Sequence, residues 1–464
     1  MNGQPVPGAM LWRALWLVLA GAVLYLAYQA ERPAGPAGAP ADLPRAGWYL
    51  ACSVALVAIL ALFSRSWQPC AMPWLSRAWF WRAILLVGLG CMVVNGIAAW
   101  RRTGAPEVVA TTFVGVGAIL LATWRPTGLR ALAALLMAGL TLRLVLIPHT
   151  PLAAQEADML PLIQAAGQNL LRGQSPYRLY DLHTWPLPLT YLPGTWLSYL
   201  PTVVLDLDPR LVNVLASAGT VAVLGATTRR SPAVPLVGLL YLLPQVVVFD
   251  LYTEMAIFWL VLAVFLAGLA GSRQGLTAVS YGLAVVTSPL ALVLGPGWLA
   301  FWGRRLPLGR LVGLLALAAG VVAALVLPFL LWSPGEFLYG TVIWFNDPRL
   351  AGAGSWLDRN QLYQVGLAGW FWLLGLVDWL RPIQVGVLTL TTVAILRYAR
   401  DRAGLWVGWL WTYVGFVFFN LIIWPYFYVP ALWLAFLSAQ EDSGSNRSPG
   451  GRAGSRPTIS PGAR

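Results

Sequence analysis

Apolar runs follow one another along this chain with hardly a break, and that property limits what it can fold into. A hydrocarbon core of about 30 Å is crossed by a helix of roughly 17–25 apolar residues. Runs near that length occupy Leu11–Ala30, Trp48–Phe63, Ala83–Trp100, Val108–Trp124, Ala131–Ile147, Leu211–Thr227, Ala233–Leu251, Met255–Gly271, Leu311–Trp332, Ile383–Tyr398, Leu405–Trp424 and Phe427–Ser438. Another, Leu276–Trp302, is interrupted by Pro289 and Pro296. The sequence therefore predicts an all-α polytopic membrane protein with roughly 12–15 transmembrane or re-entrant helices. Composition agrees, with 59% hydrophobic and 10% charged residues in 464, against about 45–50% and 25% in soluble domains. The first run has little positive charge before it and no small-residue cleavage site, so it reads as an anchor.

All 30 basic residues are arginine; against 17 acids they give a net charge of +13. Without lysine there is no Schiff-base chemistry and no Walker-A loop. No basic run is interleaved with aromatics, which argues against a nucleic-acid partner. Three cysteines (Cys52, Cys70, Cys91) and two histidines (His149, His183) have no spacing suited to zinc or a disulfide framework.

Arginine in short loops marks the cytoplasmic side. Arg65, Arg77, Arg82, Arg125 and Arg130 fall in two such loops, which places both termini in the cytoplasm of a multi-pass cell-membrane protein. Arg101 and Arg102 break the rule, partly offset by Glu107. The later arginine loops fit the same side if Leu187–Leu205 and Leu362–Val377 do not cross fully. Residues 1–124 then form a four-helix extension, residues 125–438 a membrane core, and residues 439–464 a Gly/Ser/Pro/Arg-rich tail expected to be disordered. Two polar intervals, 148–210 and 333–360, face outward, and chemistry is expected there.

The first interval carries Glu156 and Asp158, two carboxylates just beyond a membrane helix. Such a pair suits a general base with an acceptor-orienting partner, or a divalent cation; Asp158 also suits the N-cap of an amphipathic stretch, Met159–Arg172. Gly-Gln-Ser-Pro-Tyr follows at 173–177, then Arg178, His183 and a Tyr-Leu-Pro segment at Tyr191. Arg143 lies inside an apolar run, where an ionisable residue is either functional or snorkels to the interface. Glu254, at the boundary of two runs, either reaches the same cavity or serves a helix start. Trp residues of the outer intervals suit either an interfacial belt or sugar stacking.

The order of these features resembles the GT-C superfamily of polytopic glycosyltransferases: Leu142–Leu144 with its arginine, the acidic motif, the Gly173–Tyr177 motif and the Tyr-Leu-Pro segment. Leu327–Phe337 and Trp424–Pro430 extend the likeness, which covers roughly 130–437 and is greatest to glycosyltransferase family 87, polyprenyl-phosphomannose-dependent α-mannosyltransferases. The resemblance implies inverting transfer of mannose or a similar sugar from a polyprenyl-phosphate donor to a lipid or glycan acceptor at the outer face. It makes Asp158 the general base, assisted by Glu156. Phosphate and sugar would be held by Arg143, Arg172, Tyr177, Arg178, His183, Tyr191, Glu254 and Arg349. No cofactor is implied beyond a possible cation at Glu156 and Asp158. Many members of the family carry lysine where this chain has Ser288, so phosphate binding is arranged differently here or lost. A lipid or glycolipid transporter and an inactive scaffold are the competing readings, although no internal repeat supports a transporter. Topology is directly testable: a cysteine at Gln155 is expected to react with a membrane-impermeant thiol reagent in whole cells, and labelling only after lysis would remove the outer-face mechanism.

Overall fold

The computed structural model describes residues 5–7, 16, 19–23, 43–64, 71–154, 157–182, 186–229, 231–344, 366–420 and 424–445. After α1 (Leu43–Ser64) come α2 (Arg77–Thr103), α3 (Pro106–Trp124) and α4 (Gly128–His149). Proline opens α3 in its first turn, where a missing N–H costs nothing, and Thr127 caps α4 by accepting from the Arg130 amide. The first polar interval holds α5 (Met159–Leu171), an antiparallel ribbon of Leu179–Asp181 with Pro186–Pro188, and the short helices α6 (Pro193–Leu197) and α7 (Leu200–Val204). Then follow α8 (Arg210–Thr227), α9 (Pro235–Leu242), α10 (Pro244–Tyr252), α11 (Ala256–Ala270) and α12 (Gln274–Thr287). A 3-10 turn, Pro289–Leu294, leads into α13 (Gly295–Gly303), α14 (Leu308–Trp332) and α15 (Pro334–Leu338). The chain closes with α16 (Ala368–Leu373), α17 (Leu380–Tyr398), α18 (Arg402–Phe418), a 3-10 turn at Pro425–Tyr428, and α19 (Val429–Ser445).

Among the described residues, six helices are long and apolar enough to cross a membrane: α2, α3, α4, α8, α14 and α17. The pair α9 and α10, bent by 60°, makes a seventh if it counts as one span, and four shorter apolar helices remain. Among the described residues fewer of the expected 12–15 segments are full-length spans, and in two of the runs, Ala233–Leu251 and Leu276–Trp302, prolines divide the helix. Leu276–Trp302 becomes α12, a 3-10 turn and α13; Leu187–Leu205 becomes α6 and α7, too short to cross. Of the second stretch expected not to cross, residues 366–377 are described and contain α16. Most of the run Leu11–Ala30 and most of the tail lie outside the described residues, although α19 continues to Ser445. Among the spans, α14 and α17 bury only 11% of their apolar windows, leaving Leu308, Leu331 and Leu390 more than 70% exposed. Apolar surface of that extent is suited to hydrocarbon.

The elements sort into two ends. At one, Arg82 Nε donates to Thr123 O, Trp81 Nε1 to Pro232 O, Arg304 to the carbonyls of Leu396 and Ala399, Arg305 to Arg400 O, and Arg402 to Ala270 O. At the other, Arg102 bonds Tyr252, His149 lies 3.7 Å from Glu107, and Arg210 donates to Thr150 O and Ile147 O. The arginine-rich loops therefore gather opposite the first polar interval.

Proline also sets the bend between α9 and α10. The ring of Pro244 disfavours the α region for Leu243, which is extended at ψ 134°. The last carbonyls of α9 then lack helical partners: Asn95 Nδ2 donates to Leu242 O at 2.9 Å and Arg143 Nη2 to Tyr241 O at 2.8 Å. Arg143, fully buried, also donates Nε to Asp250 at 2.6 Å and Nη1 to Gly139 O, and stacks over the Tyr241 ring. Ser217 donates to the other Asp250 oxygen. Breaking a buried ion pair on one side costs about 3–5 kcal/mol, whereas replacing both partners with apolar residues is often neutral. Arg143→Leu is expected to lower the melting temperature in detergent sharply, and Arg143→Leu with Asp250→Leu to recover most of the loss. A double variant no more stable than the single one would contradict the pairing.

Candidate functional site

Asp158 occupies the N-cap position of α5, in α-helical backbone conformation, and its side chain makes no capping hydrogen bond. The helix packs down through Leu160, Leu162, Ile163, Ala166 and Gly167 and ends where Gly173 takes φ +71°. At that glycine the Gln174 amide turns back to Asn169 O, the closure a left-handed residue permits. The chain is thereby delivered to Tyr177, whose buried ring meets Phe337 at 4.6 Å and Phe329 at 6.0 Å. The Leu327–Phe337 motif thus supplies the packing for the Gly173–Tyr177 motif.

Tyr177 passes that order on. Its hydroxyl donates to Tyr191 O at 2.9 Å and accepts from Trp196 Nε1 at 3.1 Å, fixing the Tyr-Leu-Pro segment. Just beyond, Gly194 lies so close to α12 that a Cβ there would stand 2.7 Å from Val286 O. Thr195 Oγ1 donates to Thr287 O. Tyr191 is therefore set by contacts on both sides.

Glu254 lies in the turn between α10 and α11, and the backbone there is held from α8. Asn213 Nδ2 donates to Asp250 O at 2.8 Å and Thr253 O at 2.6 Å. Tyr199 bonds Asn213 Oδ1, and its hydroxyl is 3.2 Å from Glu254 O. The Glu254 side chain is buried, and its Oε2 has no hydrogen-bond partner. A buried carboxyl atom left unpaired is costly and marks a place where a ligand or proton is accommodated.

Electrostatics brings these groups to one point. Burial pushes Glu254 up to about 7; the Asp158 charge adds to the rise, and Glu254's own backbone N–H opposes it. The Tyr191 hydroxyl is held well above its usual value by burial, then by Glu254, Asp158, Tyr426 and Tyr199. Tyr426, from the Trp424–Pro430 motif, reaches Met159 Sδ at 4.0 Å. Asp158, Tyr199, Glu254 and Tyr426 thus lie within electrostatic reach of Tyr191, with the Tyr199 hydroxyl 3.2 Å from Glu254 O and Tyr426 against Met159 beside Asp158. Two carboxyls in unequal environments there can divide acid and base roles.

Other anticipated residues lie elsewhere. Arg143 is behind the site with its guanidinium committed to Asp250 and two carbonyls. Arg172 is exposed at the end of α5, and Arg178 is exposed with Nη1 on Gln174 Oε1 at 3.2 Å. Arg210 is buried and binds Asp208, Thr150 O and Ile147 O. Glu156, His183 and Arg349 fall outside the described residues. Among the described residues no group of three or more His, Cys, Asp or Glu side chains gathers to hold a metal. Asn213, Ser217 and Tyr199 carry no local motif; their only signal is polarity in otherwise apolar surroundings.

A cavity of about 570 Å³ is lined by Ser175, Tyr177, Arg178, Leu179, Pro188, Gly335, Glu336 and Tyr339. No family model matches the chain, and a search of curated proteins finds no match.

Proposed function

We propose that the protein is a membrane glycosyltransferase that moves a sugar from a polyprenyl-phosphate donor to an acceptor hydroxyl at the outer face. The observation that carries this reading is a buried Glu254 carboxyl without a hydrogen-bond partner, within electrostatic reach of Asp158 and Tyr191 and with the Tyr199 hydroxyl 3.2 Å from its backbone. In the reaction the acceptor hydroxyl gives its proton to the Asp158 carboxylate while its oxygen forms the new bond to the anomeric carbon. The bond from that carbon to phosphate oxygen breaks, polyprenyl phosphate leaves with the electron pair, and the anomeric centre inverts. Glu254 serves the same site in its protonated form, as a hydrogen-bond donor. Two ionised carboxylates beside an incoming phosphate would repel it, so the buried member keeps its proton. Arginines of the outer intervals, Arg172 and Arg349 among them, are the source of phosphate contacts in a chain without lysine.

General-base assistance is worth about 10²–10⁴-fold in rate. Asp158→Asn is therefore expected to lose activity on that scale while still binding the lipid donor, and UDP- or GDP-sugars are expected to be inert with purified protein. Full activity in Asp158→Asn, or direct use of a nucleotide sugar, would overturn the mechanism and favour a transporter or scaffold.

The role of Glu254 fixes a pH dependence. A carboxyl needed in its protonated form and titrating at about 7 makes kcat/KM fall as pH rises through that value. Glu254→Gln, which stays neutral and keeps a donor, is expected to retain activity and to lose this alkaline limb. An unchanged limb in Glu254→Gln would assign the titration to another group.

A further inference from the structure

The cavity of about 570 Å³ is distinct from the carboxyl pair, and one of its lining residues, Tyr177, bonds the Tyr191 backbone through its hydroxyl. It lies where the two polar intervals meet, and Ser175 and Ser333 join them through their hydroxyls at 2.7 Å. Tyr177 has its hydroxyl committed to Tyr191 O and Trp196, so it offers the cavity aromatic carbon. Tyr339 supplies a second aromatic from the opposite interval.

The charged lining is one cation and one anion. Arg178 comes from the first interval and Glu336 from the second, and among the described residues they form no ion pair with each other. Both charges are felt at the Tyr180 hydroxyl, Arg178 favouring its ionisation and Glu336 opposing it. A cationic ligand would meet Arg178 and an anionic one Glu336, at close quarters in either case. A neutral molecule rich in hydroxyls satisfies both: it donates to the carboxylate, accepts from the guanidinium and lays its C–H surface on tyrosine. The volume falls in the range of ordinary ligand sites, about 300–1,000 Å³, with room for about two or three linked sugar rings.

We propose that this cavity is a binding site for a neutral oligosaccharide and holds the acceptor glycan behind the hydroxyl presented at Asp158. Saccharide binding stands on the lining alone; its description as the acceptor subsite rests on the transferase reading. Tyr191 links the two places, since Tyr177 lines the cavity and its hydroxyl holds the Tyr191 backbone.

The test is saturation-transfer NMR and calorimetry on the purified full chain in detergent, with mannotriose and maltotriose as neutral probes and trigalacturonate as the acidic one. At least one neutral trisaccharide is expected to bind, and trigalacturonate is not. Glu336→Gln and Tyr339→Ala are each expected to weaken binding about tenfold or more, while Tyr339→Phe, which keeps the ring, stays near wild type. Melting temperatures separate lost binding from lost fold. If neither neutral trisaccharide binds, if trigalacturonate binds as well, or if binding ignores Glu336→Gln and Tyr339→Ala in folded protein, the proposal is overturned. Trisaccharide binding without transfer from any lipid donor would leave the site and remove the transferase; transfer without trisaccharide binding would do the reverse.

Discussion

A carbonyl released from its helix inside hydrocarbon has no water to turn to, and much of this structure is arranged around that fact. Pro244 ends α9 early, and the carbonyls of Tyr241 and Leu242 are answered by Arg143 from α4 and Asn95 from α2. Arg143 is itself made tolerable by Asp250 on α10, the helix that the break redirects. One proline thus commits three other helices, two of them from the leading and core segments the sequence treats as separate. The leading helices are tied into the core through this joint and through Trp81 and Pro232.

The same joint supports the site. Asp250 bonds Arg143 through its side chain and Asn213 through its carbonyl; Asn213 bonds Tyr199, and the Tyr199 hydroxyl lies against the Glu254 backbone. The turn that carries Glu254 is therefore held by a continuous polar chain running down into the apolar layer. Asp158 and Tyr191 are positioned differently, by a helix end and by the aromatic cluster around Tyr177. Rigid supports meeting from two directions can hold a buried carboxyl without a partner, which an isolated loop would relax by turning it to solvent.

What could be read from the sequence was local. Asp158 follows an apolar run, Glu254 interrupts two, and Tyr191 sits in a proline-punctuated segment, so each announced itself by polarity against its neighbours. The gathering of arginine loops at one end was legible for the same reason. Pairings across distance were not: Arg143 and Asp250 are 107 residues apart, and nothing in either neighbourhood names the other. Arg143 was therefore anticipated as a ligand-facing or snorkelling group, whereas the structure buries it behind the site. Nor does hydropathy distinguish Pro244, which divides a span, from Pro296, which sits in the first turn of α13 and is tolerated there.

The arginines of the opposite end do more than carry charge. Arg304 donates to carbonyls in the last turn of α17, and Arg402 to Ala270, the final residue of α11. Each places a cation where a helix leaves its carbonyls unpaired and its dipole negative. Arginines in the loops that the sequence predicts to be cytoplasmic thus also close helix ends. In many polytopic proteins orientation can be reversed by relocating a few positive charges; here relocating Arg304 or Arg402 would also uncap a helix. For Arg304 and Arg402, loop charge and helix closure reside in the same side chain.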